Sequence, residues 1–123
     1  MFDSNCIFCK IIKKEILSKI IKETEDILVI QDLHPKAPYH YLIIPKKHIL
    51  NLNYLEEKDL FYMSEMAKIV KEISSDIQKE KNLNEPLSFN LISNNGRGAG
   101  QSVLHMHWHF LAGKNLYEGD LSL

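Results

Sequence analysis

The stretch Val103-Leu104-His105-Met106-His107-Trp108-His109-Phe110-Leu111 alternates imidazole and apolar side chains from His105 to Phe110. Alternation with period two predicts a strand, here over residues 103–111, with three histidines on one face and Met106, Trp108 and Phe110 on the other. The chain has six histidines, and half of them crowd onto this one short face. Imidazole suits metal binding, proton transfer and nucleophilic attack better than plain solvation. In a strand, His105 and His109 would stand roughly 13 Å apart. That is too far for one ion with bonds of about 2 Å, so the three histidines must divide their work.

Directly upstream runs Asn94-Asn95-Gly96-Arg97-Gly98-Ala99-Gly100-Gln101-Ser102. On its own this glycine cluster reads as a turn needing positive φ. Its spacing is neither a dinucleotide fingerprint nor a P-loop, and a strand rather than a helix follows it. Placed before the histidines, its backbone N–H groups and the Ser102 hydroxyl suit phosphate oxygens.

Further out, residues 6–12 read as a short helix. Residues 20–22 and 27–32 read as strands joined by a polar turn, and Pro45 ends a third strand over 41–44. A long helix is expected over 55–79, with Leu60, Met63, Ala67, Val70, Ser74 and Ile77 as its buried face and Asn53 with Glu56 at its start. Residues 88–93 form another strand candidate. Strands joined mostly by turns, with one long helix inserted, predict an α+β fold built on an antiparallel sheet of about five strands.

The 123 residues fit one domain and need no staples to bury a core. Fifteen basic and sixteen acidic side chains leave a formal charge of -1, which argues against a nucleic-acid polymer as partner. No signal peptide is visible and no apolar run spans a bilayer, so a cytoplasmic protein away from the membrane is expected. The only cysteines, Cys6 and Cys9, form a C-x-x-C pair. This is half a zinc site by spacing, with redox chemistry or two buried thiols as the competing readings.

The string Gly98-Ala99-Gly100-Gln101-Ser102-Val103-Leu104-His105-Met106-His107-Trp108-His109-Phe110-Leu111-Ala112-Gly113 closely resembles the signature of the histidine-triad (HIT) superfamily. Three further segments extend the resemblance: 6–12, Asp32-Leu33-His34-Pro35-Lys36-Ala37-Pro38-Tyr39-His40, and Ile44-Pro45-Lys46-Lys47-His48-Ile49. Together they span most of the chain from Cys6 to Gly113, and they are most similar to the Hint branch of nucleoside phosphoramidase-like proteins.

The resemblance implies hydrolysis of a purine nucleotide with AMP or GMP as product, and a homodimer. It makes His107 the nucleophile, forming a nucleotidyl-histidine intermediate that water then cleaves. His109 becomes a phosphate contact, expected to be protonated, with Ser102 near the leaving group and His40 supporting the nucleophile. Asp32 matches a ribose-binding carboxylate, and Asn94 and Gln101 belong to the nucleotide loop. Leu33, Ile7, Phe8, Ile11 and Ile30 correspond to a slot for the base, although core packing explains them equally well. For the metal, the resemblance adds His48 and His105 to Cys6 and Cys9 as a closed structural zinc site. No organic cofactor is expected.

The chain departs from the family after Gly113, where residues 114–123 lack the Trp-Pro-Gly-like tail of many Hint proteins. Leu17 stands where a proline commonly follows the Glu-Ile pair. Two other functions compete. One is a hydrolase or transferase acting on dinucleoside polyphosphates or nucleotide sugars. The other is a zinc-stabilised nucleotide-binding or interaction protein with incidental turnover.

Overall fold

The computed structural model describes residues 3–118; positions 119–123 of the divergent tail lie outside them. Helix α1, Ile7–Ile12, is followed by strands β1 (Ile20–Glu23), β2 (Ile27–Gln31) and β3 (Tyr39–Pro45). Helix α2 (Leu60–Glu80), β4 (Phe89–Ser93) and β5 (Trp108–Ala112) complete the chain. The five strands form one antiparallel sheet in the order β1-β2-β3-β5-β4. This is the α+β architecture expected, with β5 inserted between β3 and the edge strand β4.

Period-two alternation sorts the strands into two apolar layers. Ile27, Val29, Ile43 and Phe110 face α2, which lays Met66, Ile69, Val70, Ile73 and Ile77 onto them. Leu28, Ile30, Leu42 and Ile44 face the other way and bury Phe8, Cys9 and Ile11 of α1. His40 and His109 belong to this second face, by their registers His40↔Leu111 and Leu42↔His109. The sheet therefore separates a structural face from a chemical one.

The long helix differs from expectation at its start and in its face. Residues 52–54 and 57–59 are single 3₁₀ turns, and α2 begins only at Leu60. A reciprocal cap between Glu56 and Asp59 closes that entry, and Lys47 Nζ lies 2.6 Å from the buried Asp59 carboxylate. Asn53 plays no capping part; Asn51 accepts its N–H. Of the expected stripe, only Val70 and Ile77 are buried, whereas Leu60 is 52% exposed. Both stripes keep three- and four-residue spacing, and the sheet selects the one made of large apolar groups. Met66→Ala is accordingly expected to cost about 2–5 kcal/mol, and Ala67→Ser less than about 0.5 kcal/mol, measured by denaturant unfolding.

The last strand also starts later than its pattern. Residues 103–107 make no ladder: His105 N–H bonds Val103 O at 2.9 Å and Met106 N–H bonds Ile49 O at 2.6 Å. The ladder stops at the pair Ile43↔Trp108, two residues before β3 ends at Pro45, and beyond it the backbone of Met106 bonds Ile49 instead. The alternation survives without the ladder, since Met106 and Phe110 are both buried against α2. His105 and His107 are held by specific bonds rather than by strand geometry.

Candidate active site and metal centre

His105 turns away from the other two histidines into a cluster near the start of α1. One donor atom from each of Cys6, Cys9, His48 and His105 lies within 4.8 Å of all the others. His105 Nδ1 is 3.4 Å from Cys6 Sγ, 3.6 Å from Cys9 Sγ and 3.2 Å from His48 Nδ1, and Cys9 Sγ is 3.4 Å from His48 Nδ1. Tetrahedral coordination with zinc-like bonds separates its ligand atoms by roughly 3.3–3.8 Å. Three of these four separations fall in that range, and the His48–His105 pair at 3.2 Å lies just below it.

The surroundings fit a cation too. His105 Nε2 lies 2.7 Å from Pro45 O and must donate to it, which leaves Nδ1 as a bare lone pair in the cluster. Cys9 N–H points at Cys6 Sγ and Asp3 N–H at Cys9 Sγ, each at 3.4 Å, as suits thiolates. Asp3 Oδ2 stands 3.7 Å from His48 Nε2. Burial pushes the Cys6 thiol up to about 11 and His105 down to about 4. A positive ion offsets that cost for the sulfurs by stabilising their ionised form. The residues fit a metal, and with four protein donors its coordination would be closed.

His107 is buried, with Nδ1 2.7 Å from the carbonyl of His105. A carbonyl only accepts, so Nδ1 carries the proton and Nε2 holds the free lone pair. Burial lowers the pKa of His107, with the His105 carbonyl and Asp32 pulling the other way, so the ring is neutral at neutral pH. The arrangement is a fixed, uncharged imidazole with a nucleophilic nitrogen.

His109 is bonded by His40, the residue expected to support the nucleophile. Lys36 N–H donates to His40 Nδ1 at 3.0 Å, forcing the proton of His40 onto Nε2. That nitrogen lies 2.9 Å from His109 Nδ1 and 3.4 Å from Asp32 Oδ2. His109 Nδ1 thus accepts, and its own proton sits on Nε2. Asp32, His40 and His109 also offer donor atoms within 4.8 Å of one another. The proton that Lys36 imposes on His40 makes this trio a hydrogen-bond chain rather than a metal site. Burial first, then His107 and His40, hold His109 at about 4, so it is neutral and not the cation expected. What it presents is an N–H.

The glycine turn is a single 3₁₀ turn, Arg97–Ala99, bounded by Gly96 at φ 97° and Gly100 at φ 92°. Gln101 is its brace rather than a ligand. Its Oε1 accepts from Gly96 N at 2.8 Å and Asn51 Nδ2 at 3.4 Å, and its Nε2 donates to Leu50 O at 2.7 Å and Val103 O at 3.1 Å. Both donors and both acceptor sites of the amide are used. Asn94 is half-buried at the end of β4, and Ser102 is exposed. Ser102 lines a cavity of about 380 Å³ together with Asn5, Ile7 and Arg97. Ile7 (44%) and Leu33 (83%) are exposed, but Phe8, Ile11 and Ile30 are buried in the second core layer. Asp32 Oδ1 caps the next loop by accepting from His34 N at 2.8 Å. A second cavity, about 830 Å³, lies at the other end of β4 near Leu87, Asn90 and Tyr117 and is lined by none of the histidines.

Sequence reasoning had no handle on Asp3, the Lys36 N–H or the carbonyls of Pro45 and His105. Three of these are backbone groups, which any residue type supplies, and Asp3 stands in no motif.

Residues 5–120 match the family described as scavenger mRNA decapping enzyme C-term binding. An adenosine 5′-monophosphoramidase of Candida albicans is 38% identical over 113 residues, 91% of this chain and 72% of that protein. A HIT-like protein of Methanocaldococcus jannaschii is 37% identical over 115 residues, 94% of this chain and 81% of that one. A solved HIT family hydrolase from Clostridium thermocellum is similar with a TM-score of 0.84 and 38% identity, over 98% of this chain and 99% of that chain.

Proposed function

The chain belongs to the histidine-triad superfamily, and within it we propose that it hydrolyses purine nucleoside 5′-phosphoramidates through a covalent intermediate on His107. The observation that carries this reading is the His107 Nδ1–His105 O bond of 2.7 Å, which frees Nε2 of a buried neutral imidazole. The similarity to the Candida albicans adenosine 5′-monophosphoramidase supports the substrate class.

In this reading His107 Nε2 attacks the α-phosphorus. The P–N bond of the substrate breaks, and the amine leaves with its electron pair and takes up a proton from solvent on the exposed Ser102 side. His109 Nε2–H donates to a non-bridging oxygen as negative charge gathers there, with no proton transferred. Water then cleaves the nucleotidyl-histidine bond, releasing AMP or GMP and restoring the imidazole. Asp32 is assigned to the ribose hydroxyls, Ser102 to the leaving-group side, and Ile7 with Leu33 to the exposed lip of the base slot. Zinc is assigned to Cys6, Cys9, His48 and His105. When bound it supplies structural cross-linking, because no coordination position stays open for substrate.

We also assign a cytoplasmic homodimer. Among the described residues no helix is long and apolar enough to cross a membrane. Helix α2 covers β2 and β3 and leaves Phe89 (38%) and Leu91 (42%) of β4 exposed, an apolar strip suited to a second copy.

Incubation with adenosine 5′-phosphoramidate, followed by rapid quenching in alkali and peptide mass spectrometry, tests the reading. Adenylylated His107 together with AMP and amine release is expected. Release with the adduct on another residue, or no release at all, overturns it.

The pH profile should follow the state of His107. Protonation removes its lone pair, and burial places that protonation below the ordinary value of about 6.5. The expected kcat/KM is flat from neutral pH down to about 6.5 and declines only in more acid solution. A decline centred above pH 7 would contradict a buried, neutral nucleophile.

A further inference from the structure

The run Cys6-Ile7-Phe8-Cys9 brings two sulfurs to the first turn of α1, and one of the residues between them touches the nucleophile. The Phe8 ring stands edge-on to His105 at 5.9 Å and to His107 at 5.0 Å. His105 is held at both ring nitrogens, by Pro45 O at 2.7 Å and by the Cys6, Cys9 and His48 donors. Its carbonyl is the group that accepts the His107 proton at 2.7 Å. A side chain fixed at both ends fixes its backbone, so the aim of that carbonyl is inherited from whatever holds the four donors together.

We propose that ion binding by Cys6, Cys9, His48 and His105 sets the tautomer and position of His107, with His105 and Phe8 as positioning residues. This rests on reading the cluster as a metal site. Two paths lead from the donors to the nucleophile: one through the His105 backbone, the other through the Phe8 ring that the cysteines hold between them. Without the ion, the firm anchors of His105 are the Pro45 carbonyl and its own N–H on Val103 O, and the start of α1 meets it only through the Phe8 ring and the two sulfurs. His107 then samples the Nε2–H tautomer, which has no lone pair at the attacking position. Losing such an outer support typically costs about 10–100-fold in activity.

The test compares the zinc-loaded full chain, the chelator-stripped chain and the stripped chain with zinc restored, by ¹⁵N shifts of the His107 ring. One Nδ1–H tautomer is expected when loaded, a mixture when stripped and the single tautomer again on restoration, with a fall in turnover of about tenfold or more. A single, unchanged tautomer in folded, stripped protein overturns the inference. Should stripping unfold the chain, Phe8→Leu decides, since Phe8 is not a donor. With cobalt(II) in place of zinc and a native thiolate spectrum, a zinc-loaded variant with mixed His107 tautomers upholds the inference. A native tautomer there overturns it. The ring shifts require no substrate. A loaded protein that fails to release AMP would therefore defeat the phosphoramidate reading alone.

Discussion

His107→Asn is expected to lower AMP release from adenosine 5′-phosphoramidate by about 10⁴-fold or more, the scale of losing a covalent nucleophile. Asparagine is the informative replacement because its amide N–H can still meet the carbonyl of His105, now 2.7 Å from Nδ1. The variant therefore keeps the local bond and the fold while losing the only atom able to attack. A factor of 10⁴ corresponds to about 5.4 kcal/mol in the barrier. AMP affinity, measured by calorimetry, should stay within a few-fold of native, since the proposed ribose and base contacts are those assigned to Asp32, Leu33 and Ile7. Release at the native rate by the variant would remove His107 from the mechanism. Loss of AMP binding along with turnover would instead make it a binding residue. A zinc-stabilised binder with incidental turnover predicts that the native rate is already close to that of the variant.

The sheet, its α+β class and the chemical importance of 105–109 were legible because alternation is a local property, carried by the residues themselves. The partition of labour among the histidines was legible for a weaker reason. A strand places His105 and His109 too far apart to share an ion, yet residues 103–107 turn out to belong to no ladder at all. Their direction is fixed by Met106 N–H on Ile49 O and by Pro45 O on the His105 ring, partners far away in the chain. The face of α2 was misread for a related reason. Leu60-Met63-Ala67 and Met66-Ile69-Ile73 are both helical stripes, and only the sheet decides between them. Cys6 and Cys9 announce themselves by spacing. Their meeting with His48 and His105, 39 and 96 residues from Cys9, follows from no local rule and entered through family resemblance. Charge was the least legible quantity. The cation expected of His109 is opposed by burial and two neighbouring imidazoles, which hold it at about 4.

That neutrality makes His40 decisive, and His40→Leu is expected to cut kcat by about 10²–10³-fold with little change in KM, the scale of removing one preorganised donor to a developing oxyanion. The argument runs through protons rather than charges. Lys36 N–H occupies His40 Nδ1, so His40 must donate from Nε2, and His109 must then accept at Nδ1 and donate from its own Nε2. Leucine fills similar space but leaves His109 Nδ1 without a donor. The proton of His109 is then free to move to Nδ1, turning a bare lone pair toward the phosphate oxygens where an N–H stood. Such an exchange would repel charge where the proposed mechanism has His109 stabilise it. His40→Gln, which can present an amide N–H near the former Nε2, should recover part of the rate. The double variant with His109→Ala gives the sharpest result: once His109 is gone, His40→Leu should cost little more. If the full loss persists in that background, His40 acts on the reaction by a route that does not pass through His109, and the relay Lys36–His40–His109 is only a structural bond chain.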